Sequence, residues 1–290
     1  MSRTYDTVSF LSDLGYESEH VGVVKAVLRE SAAHVVVIDL THGIAPFDTR
    51  GASLSLARAV PYLTEGIVIA AVDPGAAFDR RLVAVEVAGG AGIFIGPDNG
   101  VLAPGVALAG GAERAVVLDR DELHLASPGA TFVARDVFAP IAALLANGED
   151  LFDVGTEIDS SLLLPGLVPI PREENGGFEC EVLWVDRFGN CQLNVSLDDL
   201  ETSWTAPVER VRVSFGETIR NFVVARSYAE LGQGTAGLVV DSSGLLCVAV
   251  DSGSATDQLG LGESQQVTLQ PGGLEPTVST PVTLRPTPQT

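Results

Sequence analysis

The first half of the chain alternates continuous apolar runs with segments of helical spacing. The helical segment at residues 20–31 places Val21, Val24 and Leu28 on one face. Residues 35–40 form a continuous apolar run, which is typical of a strand covered on both sides. Strands are predicted at residues 7–13, 35–40, 67–72, 82–87 and 92–96, and helices at 20–31, 50–60 and 135–148. This alternation predicts an α/β domain with a largely parallel sheet.

The pattern changes after Leu164. Residues 165–177 carry three prolines and end in Asn-Gly-Gly, which predicts a linker. Only short strands follow, at residues 179–185, 191–195, 208–215, 219–225, 237–241, 245–250 and 265–270. Strands so closely spaced favour a small β-barrel or a sandwich. The predicted organisation is an α/β domain at 1–164, a linker at 165–177, an all-β domain at 178–270 and a disordered tail at 271–290.

Composition narrows the classes of partner. Seventeen basic and 38 acidic residues give a net charge of −21, which disfavours nucleic acid and anionic membrane surfaces. No apolar run approaches the roughly 18 residues of a membrane span, and the N-terminus lacks the apolar stretch of a signal peptide, so a cytoplasmic location is expected. The three cysteines favour buried core thiols over disulfides or zinc.

Polar residues cluster where the predicted strands end. Asp13 follows the first strand, His42 the second, Asp73 the third and Asp98 a later one. Ligands of open α/β sheets bind beyond the carboxyl ends of the strands, yet each aspartate also fits an ordinary turn or cap. In the second domain, residues 186–190 combine charged, aromatic and amide side chains between two strands, which suits either a decorated hairpin or a stacking site for a flat ring.

Seven segments, taken together and in order, resemble the SAM hydroxide adenosyltransferases, the adenosine-forming S-adenosyl-L-methionine (SAM) hydrolases that share a superfamily with the fluorinase and chlorinase. The segments are SDLGYESEHVGVVKAVL, IDLTHGIAPFDTRGA, AAVDPGAAFDRR, IGPDNGVL, TFVARDVFAPIA, WVDRFGNCQLN and SSGLLCVAVDSGSA. The resemblance covers about residues 6–262. It implies an N-terminal α/β domain, a C-terminal β-barrel, and a homotrimer whose active sites lie between subunits. It also implies that SAM is the substrate and that no cofactor is needed.

The resemblance further implies roles for individual residues. Asp73 and Arg80 match catalytic residues that handle the attacking water. Asp13 matches the carboxylate that binds both ribose hydroxyls, which suits its two acceptor oxygens. The remaining implied substrate-binding residues are Phe47 at the ribose and nucleoside pocket, Asp186 at the methionine ammonium, Phe188, Asn190 and Tyr228 at adenine, Ser242 at the methionine carboxylate and Ser252 at adenine through its backbone.

One position departs from the family pattern. The hydrolases complete their Asp–Arg pair with a histidine, but this chain reads Thr-Phe-Val-Ala-Arg-Asp there and has Val133 in its place. Losing a general base costs roughly 10²- to 10⁴-fold in rate. Three outcomes remain open: a slower hydrolase that relies on Asp73 and Arg80, compensation by a group such as His20, or a protein that binds SAM or adenosine without turnover.

A halogenase is the other alternative. The superfamily's halogenases carry a tyrosine where this chain has Asp73, and the fluorinase carries a threonine where this chain has Ala76. A carboxylate about 4 Å from a halide costs on the order of 4 kcal/mol at an effective dielectric constant near 20. Asp73 therefore favours water over halide as the nucleophile, and hydrolysis of SAM to adenosine and methionine is the predicted reaction.

Overall fold

The chain forms two compact units that divide between Val168 and Pro169. The computed structural model describes residues 3–73, 80–166, 168–205 and 207–272. Within the segment predicted as a linker, residues Arg172–Glu174 form a short strand. Nearly all of the tail predicted to be disordered, residues 273–290, lies outside the described residues.

The first unit is an α/β domain, in which helices cover a mixed β-sheet of seven strands. Its strands are β1 (Thr7–Ser12), β2 (Val36–Thr41), β3 (Gly66–Ala71), β4 (Leu82–Val87), β5 (Gly92–Pro97), β6 (Ala112–Val117) and β7 (Thr156–Ile158), and its α-helices are α1 (His20–Ser31), α2 (Thr49–Ala59), α3 (Ala103–Leu108) and α4 (Ala139–Ala146). The strand order is β2-β1-β3-β5-β4-β6-β7. The first four are mutually parallel, whereas β4, β6 and β7 continue the sheet antiparallel. The predicted α/β class is confirmed, with parallel pairing at the core of the sheet.

Helices pack on both faces of this sheet, and each face has its own buried apolar layer. Helices α1 and α4 pack on one face, where Leu28 and Ile141 meet Phe10 of β1. Helices α2 and α3 pack on the other face, where Leu56 meets Leu11. Successive residues of β1 point to opposite faces, so Phe10 and Leu11 serve different layers. The polar residues that follow the parallel strands are thereby left at one edge of a rigid scaffold.

The second unit is a closed barrel. Its strands are β8 (Arg172–Glu174), β9 (Gly177–Val185), β10 (Cys191–Ser196), β11 (Arg210–Phe215), β12 (Thr218–Ala225), β13 (Ala236–Val240), β14 (Leu245–Val250) and β15 (Gln266–Pro271), with helices α5 (Leu197–Ser203) and α6 (Ala255–Leu259). The order β10-β14-β13-β12-β11-β15-β9 closes through a β9–β10 pairing, and β8 adds outside β9. The β12–β13 pair is parallel. The predicted all-β domain is a barrel, not a sandwich.

Alternation of apolar and polar residues explains why the barrel fills its own interior. In β11, Val211 and Val213 are buried between exposed arginines. In β10, Cys191, Leu193 and Val195 are fully buried. A strand of period two buries one face, and closure leaves no long unpaired edge on the ring. The loops at the ends of these strands carry the polar residues singled out in the sequence.

Candidate active site

A cleft at the carboxyl ends of the parallel strands brings three of the implied site residues together. Asp13, Phe47 and Asp73 line a cavity of about 250 Å³ together with Val133. The rest of its wall is mainly apolar and consists of Leu14, Ala71, Val72, Leu82, Pro97, Thr131, Phe132, Ala134 and Phe138. The cavity is therefore a largely apolar recess in which two carboxylates are the charged groups of the lining.

Asp13 and Phe47 are joined across 34 residues of sequence. The Phe47 backbone N–H donates to Oδ2 of Asp13 at 2.8 Å. Phe47 has a φ of +68°, in the left-handed region, and its side chain is 63% exposed. Such a conformation costs on the order of 1–3 kcal/mol for a residue with a side chain. The hydrogen bond that Phe47 donates to Asp13 helps to hold Phe47 in this conformation, with its exposed ring beside the cleft.

Asp73 follows β3 and faces Arg80. Nη1 of Arg80 lies 3.5 Å from Oδ1 of Asp73, and both side chains are about one-third exposed. An ion pair this accessible contributes little to stability, because water screens it. The pair nonetheless places a carboxylate beside a cavity that a small ligand can enter. Ala76, which bears on the halogenase alternative, lies outside the described residues.

Val133, which the sequence resemblance matches to the family histidine, lines the same cavity and is half-buried. It immediately precedes a π-helical turn at Ala134–Phe138. In this turn the Asp136 carbonyl accepts the backbone N–H of Leu125 at 2.8 Å. Single π-helical turns occur frequently at functional sites. A π-helical turn therefore lies beside the cleft, and the side chain that Val133 presents there is a hydrocarbon.

Phe132 separates His20 from the cleft. The His20 ring contacts Phe132 edge-to-face with centroids 4.9 Å apart, and the Arg135 guanidinium lies 5.0 Å from the Phe132 ring centre. Nδ1 of His20 lies 2.7 Å from Ser18 Oγ. Phe132 lines the cavity, whereas His20 is not among the lining residues of the described chain. This arrangement gives no support to His20 as a substitute base.

In the barrel unit, Asp186 organises the loop between β9 and β10. Its Oδ1 accepts the backbone N–H groups of Phe188 and Asn190, and its Oδ2 accepts the Asn190 side-chain amide, each at 2.8 Å. Phe188 is 74% exposed, whereas Asn190 is buried. Because the Asn190 amide nitrogen donates to Asp186, its orientation is fixed and its carbonyl oxygen can accept a hydrogen bond from a ligand.

The other three implied residues of the barrel unit lie between its strands, with Tyr228 at the start of a short 3-10 helix. Burial raises the pKa of Tyr228, and the nearby acidic groups Cys247, Asp186 and Asp241 raise it further. Ser242 is exposed in the β13–β14 turn. Ser252 is exposed with a φ of +57°, and its hydroxyl bonds Asp251 at 3.0 Å.

One buried contact escapes sequence reasoning. Ser12 Oγ lies 2.7 Å from Nδ1 of His42, and both residues are inaccessible to solvent. The sequence places them at the ends of two strands but gives no signal that they touch, because 30 residues separate them. Their position directly beside Asp13 makes them part of the construction of the site.

The described residues contain no group of three or more His, Cys, Asp or Glu side chains arranged to hold a metal ion. Nor does any helix in those residues have the length and apolar character needed to cross a bilayer.

Comparison with known proteins matches both units to family models. The model of the SAM hydroxide adenosyltransferase N-terminal domain matches residues 8–155, and that of the C-terminal domain matches residues 180–268. A relative from Salinispora tropica, named (R)-S-adenosyl-L-methionine hydrolase, is 40% identical over 88% of this chain and 94% of its own. One of the same name from Thermus thermophilus is 41% identical over 90% of this chain and 98% of its own.

More distant relatives and solved structures agree with this result. A fluorinase from an Actinoplanes species is 25% identical over 83% of this chain and 90% of its own. The crystal structure of an uncharacterized conserved protein from Thermotoga maritima aligns with a TM-score of 0.83 at 31% identity, covering 91% of this chain and 99% of the other. A conserved hypothetical protein from Thermus thermophilus aligns with a TM-score of 0.72 at 38% identity, with the same coverage.

Proposed function

The chain belongs to the SAM hydroxide adenosyltransferase family, and on that premise we propose that it is an enzyme that hydrolyses S-adenosyl-L-methionine to adenosine and L-methionine. The observation that carries the proposal is the placement of Asp73 in the same cleft as Asp13. One carboxylate suits a ribose diol and the other suits an attacking water. The hydrolase relatives, at about 40% identity over most of the chain, support the reaction.

The reaction we propose is an in-line displacement at C5′. A bond forms between the water oxygen and C5′ while the C5′–sulfur bond breaks, and the electron pair of that bond stays on sulfur. The sulfonium becomes a neutral thioether, so the leaving group needs no proton. The attacking water loses one proton, which Asp73 accepts or passes to solvent, and Arg80 orients the carboxylate through the 3.5 Å ion pair.

Substrate binding in the cleft follows from the groups that line it. Asp13 keeps acceptor capacity beyond its bond to Phe47, and two carboxylate oxygens match the two hydroxyls of a vicinal diol. Phe47 offers an exposed ring to the nucleoside. The mainly apolar wall strengthens the interaction of the carboxylates with a cationic substrate.

The barrel residues suit the remaining parts of SAM. Phe188 offers an exposed ring for stacking, and Asn190 presents its carbonyl oxygen to the amine of adenine. We assign Asp186 to the methionine ammonium, Ser242 to the methionine carboxylate, and Tyr228 and Ser252 to adenine. These roles rest on the resemblance and on the chemistry of each side chain.

We also propose the finer features that the resemblance implies. These are a homotrimer with active sites shared between subunits, catalysis without a cofactor, and a cytoplasmic location. Light scattering coupled to gel filtration measures the mass of the assembly. A mass near three times the 30.2 kDa chain supports the trimer, and a monomeric mass contradicts it.

The function is tested by incubating the purified protein with SAM and following adenosine and methionine by chromatography, with and without chloride. We expect the two products in equal amounts, unaffected by chloride. The hydrolase proposal fails if adenosine stays at background while SAM still binds by calorimetry, which would support a non-catalytic binding protein. The apolar side chain of Val133 is the observation that favours this second candidate. Formation of 5′-chloro-5′-deoxyadenosine would support a halogenase instead.

A further inference from the structure

His42 connects the end of β2 to the loop that carries Asp13. Its imidazole is fully buried between two aromatic rings, with centroids 4.6 Å from Phe10 and 5.6 Å from Tyr16. Nδ1 lies 2.7 Å from Ser12 Oγ. Nε2 lies 3.1 Å from Oδ1 of Asp39, a distance that suits an ion pair although the alignment falls short of a good hydrogen bond. The His42 imidazole is therefore in contact with Phe10, Tyr16, Ser12 and Asp39.

The neighbours of the imidazole determine which nitrogen carries its proton. Burial alone would raise the pKa of Asp39, but the contacts with Lys25 and His42, together with the charge of Lys25, outweigh it and lower that pKa. Asp39 is thus an ionised acceptor, with Lys25 Nζ at 2.5 Å from its Oδ2. The His42 tautomer with its proton on Nε2 turns that proton toward Asp39 and leaves Nδ1 to accept from the Ser12 hydroxyl.

The same residue also tethers the loop through its backbone. The His42 carbonyl accepts the backbone N–H of Gly15 at 2.9 Å, and its N–H donates to the Tyr16 hydroxyl at 2.9 Å. Ser12 Oγ in turn accepts the backbone N–H of Leu14 at 3.3 Å. One buried residue therefore has contacts with positions 12, 15 and 16, and Asp13 lies within that span.

We propose that His42, acting through Ser12, is a positioning residue that aims Asp13 at the ribose diol of the substrate. The proposal rests on the proposed function, because it takes Asp13 as the diol ligand. Ser12 and His42 are themselves inaccessible, so neither contacts the substrate. Their effect reaches the ligand only through the orientation of the Asp13 carboxylate.

The test compares Ser12→Ala with Ser9→Ala, a matched control that removes another buried hydroxyl from the same strand. Calorimetry measures the affinity of each variant for adenosine and for 2′,3′-dideoxyadenosine, which lacks the diol. We expect Ser12→Ala to weaken the affinity for adenosine on the order of tenfold, which is the effect of losing one hydrogen bond to a charged group. The affinity for the dideoxy nucleoside should stay unchanged, and Ser9→Ala should alter neither.

A double mutant tests the route through Asp13. If the contact acts by aiming that carboxylate, Ser12→Ala should cost no further affinity once Asp13→Asn is present. Additive losses, equal weakening of both nucleosides, or unchanged adenosine binding in Ser12→Ala would overturn the proposal. His42→Asn keeps an acceptor at the place of Nδ1, so it should retain more diol selectivity than His42→Ala. This pair gives the answer if Ser12→Ala does not fold.

Turnover of SAM is measured separately from the affinity for the two nucleosides. A wild-type chain that prefers adenosine to its dideoxy analogue but forms no adenosine from SAM refutes hydrolysis and leaves this inference standing. A chain that hydrolyses SAM while Ser12→Ala behaves like Ser9→Ala refutes only the positioning role. A wild-type chain that binds neither nucleoside overturns the positioning role directly.

Discussion

Replacing Val133 by histidine is expected to accelerate adenosine formation. Val133 lines the same cavity as Asp73, so an imidazole at this position faces the region where water attacks. A general base contributes roughly 10²- to 10⁴-fold to rate. Burying a whole valine is worth about 1.5–3 kcal/mol, and Val133 is only half-buried, so the variant should lose on the order of 1 kcal/mol of stability. The expected gain in rate greatly exceeds that cost.

The assay is the initial rate of adenosine formation from saturating SAM across about pH 5 to 9. Histidine has an ordinary pKa of about 6.5, and only its neutral form accepts a proton, so the gain should shrink as the pH falls through that value. Val133→Asn is the matched control, because it is polar and of similar size but does not titrate. Equal rates for the two variants would refute the reasoning and would mean that the site is organised around valine.

Three further predictions follow from the geometry. Asp73→Asn should abolish adenosine formation and leave the calorimetric affinity for SAM within a few-fold; retained turnover would contradict the assigned role. Leu193 is fully buried in the barrel core, so Leu193→Ala should leave a cavity there and lower the free energy of unfolding by about 2–5 kcal/mol in denaturant titrations. A loss under ~1 kcal/mol would contradict this packing. Burial raises the pKa of Cys180 to about 12 and also raises the pKa values of Cys191 and Cys247. Near pH 8 the folded protein should therefore resist thiol labelling, and all three cysteines should react after unfolding. Rapid labelling of the folded protein would contradict this burial.

The strands of the second unit were readily predicted because they are short apolar runs separated by turn residues. The choice of a barrel over a sandwich came from the resemblance. Each of the seven predicted segments corresponds to a strand of the closed ring, within one or two residues at its ends. Strands β6 and β7 of the first unit were not predicted. β6 begins with Ala112, Glu113 and Arg114, which interrupt any apolar run, and β7 has only three residues. β6 pairs with β4 and β7 pairs with β6, and a local pattern does not reveal these tertiary partners.

The site was predictable in part for a similar reason. Asp13 and Asp73 follow parallel strands, and parallel strands end at one edge of a sheet, so their shared cleft could be expected. The positive φ of Phe47 could not, because phenylalanine disfavours that conformation and the hydrogen bond that its N–H donates to Asp13 joins residues 34 positions apart. The Ser12–His42 contact is likewise tertiary, since adjacent strands bring together residues that are remote in sequence.

Val133 is an apolar residue at the point of the cleft where the resemblance implies a proton-accepting histidine. A hydrolase needs a proton acceptor for its water, and Asp73, which lines the described cleft and pairs with Arg80, offers one. We therefore expect Asp73 to be the essential group and the missing histidine to limit the rate. Turnover should be slow but dependent on Asp73.

The most direct test of water as the nucleophile at C5′ is a single turnover of SAM in water enriched in oxygen-18. The adenosine formed is analysed by mass spectrometry. We expect adenosine to gain one heavy oxygen at its 5′ position and methionine to gain none. Adenosine without the label, label in methionine, or no adenosine above background would contradict it.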